Sequence, residues 1–125
     1  MSFRFQDSRV FIVFAGMPDP RVGAQAEALL AQGAGLADRN MIVFAVIGDD
    51  MIVPIYGKAP PTAAAGALRA RYRAQTGSTF TAVLIGKDGT VKWREDRPAD
   101  PAELFGLIDT MPMRRQEVAQ RKPSR

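Results

Sequence analysis

Asp19 and Arg21 sit two residues apart in the stretch 10–21, VFIVFAGMPDPR, where an apolar run breaks at Gly16, crosses a proline-marked turn and restarts at Asp19-Pro20 as a helix. Such a strand, loop and helix passage is a common place to build an active site, because the first N–H groups of the helix face whatever occupies the loop. A carboxylate beside a guanidinium there would act as a base or hold a small ligand. The same residues have a plainer role. Asp19 suits the N-cap, where its carboxylate accepts backbone N–H bonds, and Pro20 has the fixed φ of a first helical turn. A carboxylate stabilised in this way is a poor base.

Two other groupings carry charge in a pattern that chemistry could use. Asp49 and Asp50 follow a buried apolar run, at the end of a strand where open α/β sheets usually bind ligands, and such a pair would suit a hard cation. Adjacent residues on one turn seldom converge without further ligands, so solvation of the turn is the better account of them. Arg69, Arg71 and Arg73, with Lys58 before them, would read an anion or face water along a helix flank; only 69 and 73 share a face. Ser8 and Ser78 have no base near them in sequence. The chain contains neither cysteine nor histidine. Thiol, zinc and triad chemistry, and any acid–base step that relies on imidazole, are thereby removed.

With 125 residues, 46% of them hydrophobic, the chain has the size of one domain with a core of its own. The net charge of +4 comes from the last thirteen residues, MRRQEVAQRKPSR, which hold five basic groups against Glu117 alone. These residues, 113–125, read as a basic, flexible C-terminal tail behind a domain spanning 1–112. No aromatic is interleaved with the basic groups, so nucleic acid is an unlikely partner. No apolar run reaches membrane-spanning length, and the first eight residues lack the apolar core of a signal. As it stands the chain reads as soluble and cytoplasmic, or as extracytoplasmic if a signal segment has been removed.

The elements that must position these side chains follow from periodicity. Residues 9–15 and 41–47 are nearly continuous apolar runs, the pattern of strands buried on both faces. Between them an apolar stripe at Val22, Ala26, Leu29, Leu30, Gly33 and Leu36 predicts one helix to about Asp38, stopped by Asn40 in a left-handed conformation. Residues 51–56 form a short extended piece that Pro54 confines to an edge. Thr62 is the expected N-cap of a helix over 63–75, with Ala65, Leu68 and Tyr72 buried and Arg69, Arg71 and Arg73 turned mostly to water. TFTAVLIGKDGTVKW reads as a hairpin turning at Asp88-Gly89, and Trp93 in its second strand either packs under the last helix or anchors an interaction. That last helix starts at Asp100-Pro101 and ends at Pro112.

A loop as short as GKDG cannot hold the crossover helix of an all-parallel sheet. The order β-α-β-α-β-β-α fits instead a thioredoxin-like α/β fold, a mixed four-stranded sheet with helices on both faces. The opening strand, loop and helix, AVLIGKDGTVKW and ELFGLIDTMPMRRQE together resemble a bacterial family of domains of unknown function, regarded as peroxiredoxin-like and related to domains in sushi-repeat and extracellular matrix proteins. IDTMPMRRQE, residues 108–117, is the most specific piece. The resemblance implies a fold without its usual chemistry. Where thioredoxins carry two cysteines this chain has GMPDPR, and where peroxiredoxins follow proline with Thr or Ser and a cysteine it has Arg21, Val22, Gly23 and Ala24. Phe80, followed by Thr81, stands where thioredoxins place a cis-proline.

The sequence therefore points to a non-catalytic, cysteine-free thioredoxin-like domain that binds a protein partner, or a second copy of itself, without cofactor or metal. The expected surfaces are Gly16, Met17, Asp19 and Arg21 in the loop, the neighbouring Phe80 and Thr81, and the region of Met111 to Arg115, which includes Met113, Arg114 and Arg115 after the last helix. The alternative is a cysteine-independent enzyme or a small-ligand or anion site at the same strand-end, using Asp19, Arg21, Asp49 and Asp50.

Overall fold

The computed structural model describes residues 8–75 and 79–121; residues 1–7, Ser78 and the end of the basic segment, 122–125, lie outside them. The chain runs β1 (Arg9–Ala15), α1 (Pro20–Leu30), α2 (Gly33–Asp38), β2 (Met41–Ile47), β3 (Met51–Tyr56), a 3-10 turn (Thr62–Ala64), α3 (Ala65–Arg71), β4 (Thr81–Ile85), β5 (Val91–Glu95), α4 (Pro101–Asp109) and α5 (Pro112–Arg121). The strands form one open sheet in the order β3-β2-β1-β4-β5. β1 and β2 are parallel, from Arg9 opposite Met41 to Ala15 opposite Ile47. β4 is antiparallel to β1, β5 to β4, and β3 to β2.

Apolar alternation divides the core between the two faces of the sheet. Phe11, Val13 and Ala15 of β1 meet Leu29, Leu36, Leu104 and Ile108 from α1, α2 and α4. Val10, Ile12 and Phe14 meet Ala65, Leu68 and Tyr72 on the α3 side. All seven residues of β1 are buried, as its continuous apolar run requires of a central strand. Each fully buried Phe, Leu or Ile contributes about 1.5–3 kcal/mol, so the central strands anchor the fold.

The sheet has five strands where four were expected. Residues 51–56 pair along β2 with a register shift at Val43/Phe44, and Pro54 is tolerated because β3 is an edge strand. The expected helix over 20–38 is two. It breaks at Ala31 and Gln32, where the glycines of QGAG weaken helix propagation, and α2 then turns so that Gly35 passes beneath the Phe105 ring. A Cβ at residue 35 would lie 2.6 Å from that ring.

Thr62 opens the 3-10 turn instead of capping a helix, and α3 stops at Arg71, with Arg73 left-handed at φ 51°. Asn40 does take the left-handed conformation, at φ 54°. The hairpin closes through Gly89 at φ 82°, and Asp88 accepts hydrogen bonds from the backbone and hydroxyl of Thr90. Trp93 is half-buried, its ring centre 6.2 Å from that of Phe11. Beyond α4, Pro112 begins a helix: much of the expected tail is α5, an unsurprising role for a proline in a first turn. Among the described residues, no helix is long and apolar enough to cross a membrane.

Candidate functional site

The carboxyl ends of β1 and β2 meet the amino end of β4 above α3, and Arg69 stands at their junction. Its Nε donates to the carbonyl of Gly48 at 2.6 Å, Nη1 to Gln75 at 2.6 Å, and Nη2 to Ala15 at 2.8 Å and Val46 at 3.3 Å. The residue is only 5% exposed, against the expectation that it faces water. A guanidinium can be buried because its five donors match several carbonyls at once. The sequence held the cue: Arg69 lies four residues after the buried Ala65, hence on the same helical face. Burial lowers the Arg69 pKa, offset in part by the negative charge of Asp49.

A cleft of about 450 Å³ opens beside this junction. Arg21, Phe80 and Thr81 line it, together with Arg73, Arg94 and Asp96 and with Gln75 and Thr79. Asp19 caps α1, accepting the backbone N–H of Arg21 at 3.0 Å, and also takes a two-point ion pair from the Arg21 side chain, with the shorter contact 2.7 Å. The hydrogen bond from the Arg21 side chain holds the Asp19 carboxyl below the usual carboxylate range, outweighing burial. Asp19 is thus a cap and an anchor for Arg21, whose guanidinium carbon lies 5.0 Å from the centre of the Phe80 ring. Across the cleft, Arg94 donates to the carbonyls of Tyr72 and Arg73, the latter at 3.0 Å. Thr81 donates to Asp96 at 3.2 Å.

Arg73 and Arg94 escaped the sequence reading as members of this site: the first was placed on a solvated flank and the second in a hairpin. They meet because α3 ends early. The N–H of Ala74 bonds to the carbonyl of Arg69 at 2.9 Å, closing the helix with Arg73 in the left-handed position that glycine ordinarily fills. Gly16 and Met17 belong to the adjoining loop, where Met17 is 66% exposed. Asp49 and Asp50 are exposed in the turn after β2, and among the described residues no three Asp, Glu, His or Cys side chains group to hold a metal ion.

Met113, Arg114 and Arg115 lie at the opposite end of the sheet, on α5. Arg115 and Met113 are exposed, but Arg114 is 4% exposed. It donates to the Asp38 carbonyl at 2.9 Å and pairs with the carboxylates of Asp38 and Asp109. Burial lowers the Arg114 pKa, but its hydrogen bonds to Asp38 and Asp109 prevail and raise it. Nearby, Glu117 receives Arg9 at 3.2 Å and Lys87 at 2.7 Å. Burial pushes Glu117 and Asp109 up, while Lys87 and Arg9 on the one and Arg39 and Arg114 on the other bring both below their ordinary values.

The residues expected from sequence thus lie in two places: a cationic cleft at one end, holding Arg21, Phe80 and Thr81, and an ion-paired clamp at the other, holding Arg114. Neither the curated proteins nor the solved structures contain a match to the chain. The model of one family matches residues 4–117, which takes in both ends of the sheet and the start of α5. On that match the chain belongs to the family described as "Domain of unknown function (DUF4174)".

Proposed function

We propose that this chain is a thioredoxin-like domain without catalysis of its own, a scaffold that binds a protein partner through the strand-end surface formed by the loop over residues 16–21 and the adjoining cleft. Two things support the thioredoxin-like relation: the four strands β2-β1-β4-β5, of which one pair is parallel and the rest antiparallel, and helices packed on both faces. The observation that carries the functional reading is the content of the strand-end. Where a thiol would react there is a capped Asp19, an anchored Arg21 and an exposed Met17, on a chain with no cysteine at all. Exposed apolar and guanidinium groups side by side suit recognition.

The test uses the intact chain and a variant with residues 16–21 replaced by a neutral turn. A partner identified with the intact protein should bind it in purified form and lose affinity for the loop variant by about tenfold or more, the scale of losing one anchor residue. Equal affinity for both would overturn the reading, and so would reproducible thiol-dependent turnover of peroxide or disulfide by the pure protein.

The cleft also favours the second reading, a small-ligand or anion site, because its lining carries three arginines against one aspartate. Asp19, spent as a cap and ion-pair partner, is a poor base for a cysteine-independent enzyme.

A further inference from the structure

We propose that the cleft at the carboxyl end of β1 is a receptor for a dianionic phosphate group, with Arg73 as its principal ligand; this rests on the strand-end reading above and specifies what the site takes. Arg21, Arg73 and Arg94 face Asp96 in the lining, an excess of two positive charges. Just outside it, Asp19 offsets Arg21, while the buried guanidinium of Arg69 adds a charge hydrogen-bonded only to carbonyls. Asp49, exposed in the turn after β2, offsets part of the Arg69 charge. A dianion balances the lining's own excess of two where a single carboxylate leaves half of it. Gln75 adds a side-chain amide donor to the same walls. Guanidinium forks with a neutral amide donor beside them are a usual means of holding phosphate oxygens.

The backbone supplies an independent sign. Arg73 sits at φ 51°, a conformation that costs a non-glycine residue, in the helix-closing position where glycine is the ordinary choice. Its guanidinium has no hydrogen-bond partner among the described residues, so the side chain offers the fold nothing in return. By contrast the Arg94 guanidinium is engaged with the carbonyls of Tyr72 and Arg73, holding that turn in place. A strained residue whose exposed side chain lines a cleft is the mark of a position kept for binding.

The experiment titrates the full chain with inorganic phosphate and with a phosphoserine peptide, by calorimetry, in chloride buffer of fixed ionic strength. Three proteins are compared: the natural chain, Arg73→Gly and Lys92→Gln. The last removes the same charge at the hairpin turn, away from the cleft. The natural chain and Lys92→Gln should bind phosphate alike, and Arg73→Gly should bind it about tenfold or more weakly, the loss of one charge-assisted fork. The ligand-free Tm of Arg73→Gly should be unchanged or higher, which separates loss of a ligand from loss of the fold. A peptide that binds more tightly than inorganic phosphate identifies a partner's phosphorylated side chain as the source, and equal affinities identify a small phosphate; both sustain the proposal. No binding up to roughly ten millimolar, or an equal loss in Arg73→Gly and Lys92→Gln, overturns it. A partner that still needs the loop over residues 16–21 when phosphate fails to bind would leave the scaffold reading standing without this one.

Discussion

At the carboxyl end of β1, Arg69 is buried among the carbonyl oxygens of Ala15, Val46, Gly48 and Gln75, whereas at the amino end Arg9 and Arg114 are buried against the carboxylates of Glu117, Asp38 and Asp109. Both arrangements engage guanidinium donors, although the buried Nε of Arg9 has no hydrogen-bond partner among the described residues. They differ in what remains of the charge. Carbonyl dipoles solvate Arg69 without neutralising it, so its field adds to that of Arg73 and Arg94 in the cleft. Ion pairs at the other end consume the charge and tie α5 to α2 and β1. One end of the sheet keeps an uncompensated positive charge, and the other uses its charges to hold the chain together.

The largest effect should come from Arg69→Met. It removes a donor from four carbonyls, two of them in buried hydrogen bonds, at about 1–3 kcal/mol for a buried group left unsatisfied, and about 3 kcal/mol in total is expected. Arg114→Met should cost less, about 1–2 kcal/mol, because Asp38 and Asp109 are part-exposed and can turn to water. Urea unfolding of both variants measures the difference, and equal losses would erase the distinction between the two ends.

A middle-sized effect of opposite sign sharpens the same comparison. Arg73→Gly should stabilise the fold by about 1 kcal/mol by relieving a left-handed arginine, while Asn40→Gly, at the other end, should be nearly neutral because asparagine already tolerates that conformation. Thermal unfolding of the two variants in phosphate-free buffer compares them directly.

The smallest effect is the response to acid. Asp109 and Glu117 have lower pKa values folded than unfolded, so below the ordinary carboxylate value of about 4 the unfolded chain binds protons that the folded one does not. Their contribution is complete above that value and is lost as the pH falls through the depressed folded values. Asp88 adds the same behaviour at the hairpin turn, where the hydrogen bond from Lys92, with those from Thr90, brings it down to about 2. The double variant Asp109→Asn, Glu117→Gln should flatten the loss of stability below pH 4, seen by circular dichroism, more than Asp19→Asn does at the open end.

Much of this architecture was legible because it follows from local rules. The two buried strands, the Asp19 and Asp100 caps and the Asp88-Gly89 hairpin each depend on a few neighbouring residues, and each appears where periodicity and turn chemistry put it. β3 was seen as an extended edge piece, but whether it pairs depends on β2, so the strand count came out one short. The cleft was half visible. Arg21, Phe80 and Thr81 were proposed together, but Arg73 and Arg94 join them only because α3 ends early and β5 brings a side chain back to that end. The basic segment misled for a related reason. Its composition describes a tail, while the acids that bury Arg114 lie at positions 38 and 109, before the segment begins. Three residues of the distinctive stretch IDTMPMRRQE, namely Asp109, Arg114 and Glu117, are the ones that lock α5 down, which gives that stretch a structural reason to exist.

An open sheet has two borders at which another chain could add a strand, and here each carries its own deterrent. Pro54 in β3 lacks an N–H to offer, and the register shift in that pairing bends the border. β5 reads VKWRE, mostly exposed, with lysine, arginine and glutamate along it, so a second copy aligned there would have to desolvate charges of both signs. Continuous growth of the sheet through a second copy is thereby disfavoured at both borders.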